Sequence, residues 1–75
     1  MINNLLMALN KGMVKIYFKS INSGRIIEGY YTLKNRNVGI SPKTDTFVAW
    51  DLEREIWQDI RSNTVEQWML VEEFA

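Results

Sequence analysis

Ile2, Leu5, Leu6 and Leu9 recur at i, i+3, i+4 and i+7 at the start of the chain, a spacing that lines one stripe of a helix turning every 3.6 residues. A helix of about 11 residues does not stand alone in water, so its stripe must lie on another element. Gly12 is placed to close it in a left-handed cap. From Met13 the period changes to two: "MVKIYFKS" sets Val14, Ile16 and Phe18 on one face and Lys15, Tyr17 and Lys19 on the other, the mark of a strand. "INSG" reads as a hairpin turn, since Asn22 and Gly24 take positive φ at low cost. "RIIEGYYTL" is a second strand, with Gly29 in its middle marking a bulge or sharp bend. "KNRNVGISPKTD" is loop-like around Gly39 and Pro42, with "VGI" as the alternative of a short strand segment.

The alternation returns in "TDTFVAW", with Phe47 and Ala49 opposite Val48 and Trp50. After the charged turn "DLERE" it resumes in "IWQDI", with Ile56 and Ile60 opposite Trp57. "SNT" forms one tight helical turn, and "VEQWMLVEEF" supplies a last strand through Trp68, Leu70 and Val71. A short amphipathic helix and five short antiparallel strands, the second bent at a glycine, are the layout of a small mainly β, Sm-like or SH3-like barrel. Residues 1–75 form one domain, 1–11 the helix and 13–73 the barrel. The expected core is Val14, Ile16, Phe18, Leu33, Phe47, Ile60 and Leu70, together with two of Trp50, Trp57 and Trp68.

Composition narrows the function more than it names it. In 75 residues there is no cysteine and no histidine. That excludes a disulfide framework, a thiolate or imidazole metal site, and the usual nucleophile and general-base pairs. Asp51, Glu53 and Glu55 recur at a spacing of two, which on one continuous strand face would make a hard-cation cluster; across a turn they read as solvated carboxylates. No glycine-rich phosphate cradle accompanies Lys34, Arg36 and Lys43. The expectation is a protein that is not an enzyme and holds no cofactor or metal. The "INNLLMAL" patch lacks a positive leader and a cleavage site, and no apolar run approaches the ~20 residues of a membrane span. With no cysteine, the expected setting is the cytoplasm.

A zero net charge hides a split. Residues 1–43 carry seven basic residues against Glu28, a net of +6, and residues 44–75 carry two against eight acidic ones, a net of −6. Either basic strands pair beside acidic ones, or the domain has two surfaces of opposite sign. Two binding roles follow. In one, Lys15, Tyr17 and Lys19, with Arg25, Lys34 and Arg36 near the ends of their strands, contact DNA or RNA, the lysines on phosphates and the tyrosine stacked on bases. In the other, aromatics including Tyr30, Tyr31, Trp50 and Trp57 form a protein interface, for a second copy or another protein. The protein-interaction role leads, because three Trp and three Tyr are more aromatic surface than one small core hides.

The succession "KGMVKIYFKS", "RIIEGYYTL" and "VAWDLEREIWQDIRSNTVEQW" resembles the small WYL-type, Sm-like barrel proteins found largely in tailed bacteriophages. The resemblance rests on the Thr32-Leu33 pair closing the second strand and on the hairpin residues Val48, Trp50, Asp51 and Leu52. Trp57 and Arg61 complete it, and it covers about residues 12–72. It departs at the Trp-Tyr-Leu tripeptide, whose nearest string here is Trp68-Met69-Leu70, and no helix-turn-helix is attached. What the resemblance implies is a fold, and an accessory role in the host cytoplasm on a host or phage protein.

Overall fold

The computed structural model describes residues 2–20, 22–33 and 45–74, with side chains from residue 4 onward. Helix α1 spans Ile2–Lys11 and passes directly into strand β1, Gly12–Lys19. Leu5, Ala8 and Leu9 are buried and Leu6 is half-buried, while Met7 on the far side is exposed. The stripe therefore lies on the sheet as its spacing requires, apart from Ile2, whose side chain is outside the described residues. Gly12 is not a left-handed cap, since Gly24 is the one glycine with positive φ among the described residues. Its lack of a side chain serves a close approach instead: a Cβ there would collide with the carbonyl oxygen of Glu72. Two of the last helix carbonyls, those of Leu9 and Lys11, are satisfied by tertiary contacts. The Leu33 N–H and the Thr32 hydroxyl both donate to Leu9, and the Phe74 N–H donates to Lys11.

Strand β2, Ile26–Thr32, returns along β1 through a turn in which the Ser20 N–H donates to Arg25 and the Gly24 N–H to Ser20. Positive φ falls on Gly24 and not on Asn22. The β1–β2 register is unbroken from Val14↔Tyr31 to Lys19↔Ile26, so Gly29, opposite Ile16, is not a bulge. A Cβ at Gly29 would sit 2.9 Å from the edge of the Tyr31 ring; the glycine leaves room for that ring to lie across the strand. β3, Thr46–Asp51, and β4, Ile56–Arg61, form the second hairpin in six continuous pairs. A single 3₁₀ turn, Ser62–Thr64, leads to β5, Val65–Glu73, which pairs with β1 through two register shifts. The loop expected over 34–44 lies outside the described residues, as do Lys34 and Arg36.

The five antiparallel strands that the alternation predicts form one sheet, in the order β4-β3-β2-β1-β5. Its two edges, β4 and β5, are consecutive in the chain and joined by three residues. Four strand spacings would hold the edges of a flat sheet about 19 Å apart, beyond the reach of so short a link. The sheet is therefore strongly curled, although no ladder joins β4 to β5 among the described residues. Val14, Ile16, Tyr31, Leu33, Phe47, Ala49 and Ile60 fill the concave side against Leu5, Ala8 and Leu9 of α1, and Phe18 packs at its margin, edge-on to Tyr31 at 6.3 Å. Leu70 corrects the expected core. It lies opposite Val14 but is 37% exposed, because it stands on the edge strand β5, with no further strand beside it among the described residues. No tryptophan is fully buried: Trp68 packs half-buried on the core, Trp50 is half-buried, and Trp57 is 42% exposed. No helix among the described residues is long and apolar enough to cross a membrane.

Candidate functional site

The pleat that sends Val14, Ile16, Tyr31 and Phe47 inward sends their neighbours to the convex face. Register then sets those neighbours side by side. Lys15 lies between Tyr30 and Met69, Tyr17 between Glu28 and Gln67, and Trp50 between Thr32 and Trp57. Lys15 has its ammonium 5.2 Å from the Tyr17 ring centre, 5.5 Å from that of Tyr30, and 3.8 Å from the Glu28 carboxylate. The Tyr17 side chain foremost holds the ammonium above the ordinary lysine range; partial desolvation opposes it, and the charge of Glu28 adds to it. Lys15 is thus a centre that ties two tyrosines and a glutamate together on the sheet surface. Trp50 and Trp57 meet edge to face at 5.2 Å and 67°, an arrangement worth roughly 0.5–1.5 kcal/mol beyond area burial.

The other candidates separate by exposure. Lys19 and Arg25 are exposed at the tip of the first hairpin and form no ion pair among the described residues. Tyr31 is a correction: it is fully buried and presents nothing to an interface. Tyr30 and Tyr31 are successive strand residues, so only one of them can face outward; Tyr30, opposite Lys15, is that one. Burial foremost, and then the nearby charge of Asp51, raises the Tyr31 hydroxyl above its usual range, against the pull of Arg54. That hydroxyl has no hydrogen-bond partner among the described residues.

Asp51 is a structural residue that its spacing concealed. Its side chain is fully buried while Glu53 and Glu55 are exposed, so the three acids share no face. No group of three or more metal-ligating side chains occurs among the described residues. One oxygen of Asp51 accepts the N–H groups of Glu53 and Arg54, both at 3.0 Å; the other accepts Arg54 Nη1 at 3.0 Å and Gln58 Nε2 at 2.9 Å. Burial raises the carboxyl, but the hydrogen bonds from Arg54, Gln58 and Glu53 outweigh it and hold the group below the usual carboxylate range. The turn is locked from within, and Glu55 sits in left-handed backbone at φ 57°. A sequence signal existed: an Asp whose side chain can cap the N–H groups two and three residues on is a turn former.

This face therefore offers planar aromatic surface and a self-satisfied lysine, with acids along the second hairpin. No protein-family model, curated protein or solved structure matches the chain.

Proposed function

We propose that this chain is a non-enzymatic binding module whose convex aromatic face docks on a protein, either a second copy or, in line with the resemblance to phage Sm-like barrel proteins, a host protein. The observation that carries this reading is the Trp50–Trp57 pair, held outside the core with Trp57 42% exposed. On the same face Lys15 lies between Tyr30 and Met69, which is 47% exposed. Aromatic and methionine side chains are what interface centres concentrate. Nucleic acid is the second reading, favoured by Lys19 and Arg25 at the tip of the first hairpin; against it, Lys15 already has its charge engaged.

The test is capture of partners from a host lysate with and without nuclease, alongside sedimentation of the pure protein at several concentrations and salt levels. Trp57→Ala should remain folded, losing about 1–2 kcal/mol for a half-exposed ring, and should lose capture or self-association. Lys19→Glu with Arg25→Glu should keep it. Capture that nuclease abolishes, or that survives Trp57→Ala and fails in the charge variant, would replace the protein reading with the nucleic-acid one.

A further inference from the structure

The outer side of β5 meets no other strand among the described residues. It carries Met69, Leu70 and Val71, the only three consecutive exposed apolar residues among those described, next to the half-buried Trp68. An exposed apolar edge is a template for another strand, and the hydrogen-bond phase of the sheet fixes which backbone groups it offers. The Ser20 N–H donates to Arg25. Bonded pairs alternate along an antiparallel ladder, so Phe18, Ile16 and Val14 bond to β2 while Lys15 and Tyr17 turn to β5. The bond from the Phe74 N–H to Lys11 has the same phase. Met69 and Gln67, opposite Lys15 and Tyr17, are therefore bonded inward, and the N–H and C=O groups of Trp68 and Leu70 point out from the open edge. Beside them a groove of about 480 Å³ is lined by Gln67 from the convex side and by Val65 and Trp68 from the concave side, so it runs along the edge itself. Glu66 precedes the apolar run, and Glu72 and Glu73 follow it. The other edge of the sheet is guarded by charge: with the Ser62 N–H bonded to Asp45, β4 turns the backbone of Asp59 and Arg61 outward.

We infer that this edge pairs with the same edge of a second copy, antiparallel across a twofold axis. Between the register shifts that flank Gln67–Leu70, only Trp68 and Leu70 offer backbone bonds. Each must therefore face Trp68 or Leu70 of the other copy, which leaves registers centred on Trp68, Met69 or Leu70. Centred on Trp68, the pairing sets Leu70 against Glu66; centred on Leu70, it sets Trp68 against Glu72. Centred on Met69, it sets each Trp68 against the other copy's Leu70, with both N–H bonds exchanged, and Met69 against its counterpart. The run is thus its own apolar complement, and the groove leaves room beside Trp68 for the second copy's Leu70. At each end Glu66 of one copy comes beside Glu72 of the other, a like-charge contact that holds affinity down. Because both copies use the same patch, the contact closes at two and does not propagate. Strands this short bury well under the ~1,200 Å² of a stable complex, so the dissociation constant is on the order of 0.1–1 mM. β5 lies at the opposite end of the strand order from β3 and β4, so the pairing does not depend on the docking role of Trp50 and Trp57.

Backbone amide exchange and sedimentation of the whole chain, over about 0.05–2 mM, test it. In dilute solution the Trp68 and Leu70 amides should exchange rapidly, while those of Gln67 and Met69, bonded to β1, are protected. At the top of the range Trp68 and Leu70 should slow by about threefold, in step with a monomer–dimer equilibrium. Met69→Glu sits beside Lys15 within its own copy but faces its counterpart across the axis, so it should keep the melting temperature and weaken the dimer by about tenfold or more. Glu72→Lys turns both like-charge contacts into opposite ones and should tighten the dimer several-fold. Added salt should strengthen the wild-type dimer and weaken that of Glu72→Lys. Trp57→Ala should leave the dimer as it is. A monomer at every concentration, or Trp68 and Leu70 amides whose exchange does not depend on concentration, would overturn the assignment. So would a dimer weakened by Glu72→Lys, or protection that spreads to β4 with assemblies larger than two, which means unlike edges joined head to tail. A dimer lost in Trp57→Ala and kept in Met69→Glu would overturn it in favour of contact through the convex face.

Discussion

Asp51→Asn removes one charge from the buried centre of the second turn and changes the shape of nothing. The amide oxygen can still accept the Glu53 and Arg54 N–H groups, but as a neutral acceptor, and charge-assisted bonds are roughly twice as strong as neutral ones; the two together lose about 1 kcal/mol. The new NH2 group then faces Gln58 Nε2, donor against donor at 2.9 Å; Gln58 pairs with it by turning its amide over so that Oε1 accepts, which exchanges a charge-assisted bond for a neutral one at a cost of about 1 kcal/mol. Arg54, with its side chain 60% exposed, returns to water and adds little. The net loss is about 2 kcal/mol, against a total stability of about 4–11 kcal/mol for a domain of this length. Thermal unfolding followed by circular dichroism should show the midpoint falling by about 8–16 °C at pH 7. The carboxyl is held below its usual range in the folded state, so its contribution is fully present above the ordinary carboxylate pKa and is lost as pH falls through the folded value. The gap between wild type and Asp51→Asn must therefore narrow below about pH 4. A variant within about 0.5 kcal/mol of wild type at pH 7, or a gap independent of pH, would refute the assignment of the turn's stability to this carboxylate.

Three further substitutions test other parts of the fold by urea or thermal unfolding. Gly12→Ala should cost about 2 kcal/mol or more, because the obstacle is the Glu72 backbone, which cannot rotate aside; a neutral result would mean that β5 does not pass so close. Glu55→Gly should stabilise by about 0.5 kcal/mol by relieving left-handed strain, and Glu55→Val should destabilise by about 1–2 kcal/mol. Tyr31→Phe removes a buried hydroxyl without a partner among the described residues, and should be neutral or up to about 1 kcal/mol more stable; a loss above 1 kcal/mol would reveal a bond to that hydroxyl.

Much of this fold was legible because period is a local property. The Leu5–Leu9 stripe, the alternation in β1, β3 and β4, and the two hairpin turns each follow from residues within a few positions of one another. What failed depends on residues distant in sequence. Alternation tells that Tyr30 and Tyr31 face opposite ways, but which of them faces inward is decided by Gly29, whose bare backbone accepts the Tyr31 ring. Leu70 has the parity of a core residue and is left exposed by its place at the sheet's edge, which only strand order reveals. Gly12 looks like a cap from the helix side, and its purpose lies in β5. At the candidate site, the Lys15–Tyr17 spacing was visible, but the closing of Tyr30 and Glu28 around the lysine needed the register of β2. Asp51 was hidden among solvated acids because burial of a charge depends on Gln58, seven residues away.

Among the described residues, strands β2 and β3 share the pairs Tyr31↔Asp51 and Thr32↔Trp50, extended by the bond from the Leu52 N–H to Tyr30. Every other ladder in the sheet is longer. The sheet therefore has a seam, with a complete hairpin on one side and α1, β1, β2 and β5 on the other. Breaking two pairs releases far less backbone bonding than opening any other junction, so the second hairpin is the part able to detach while the rest persists, a cooperative unit below the level of global unfolding. In deuterated solvent its amides should exchange as a group ahead of those in the middle of β1, which are bonded on both sides. Asp51 sits at this seam through its backbone pairing with Tyr31, while its carboxylate bonds to Glu53, Arg54 and Gln58 of its own hairpin, so the lock on the turn travels with the hairpin when the seam opens.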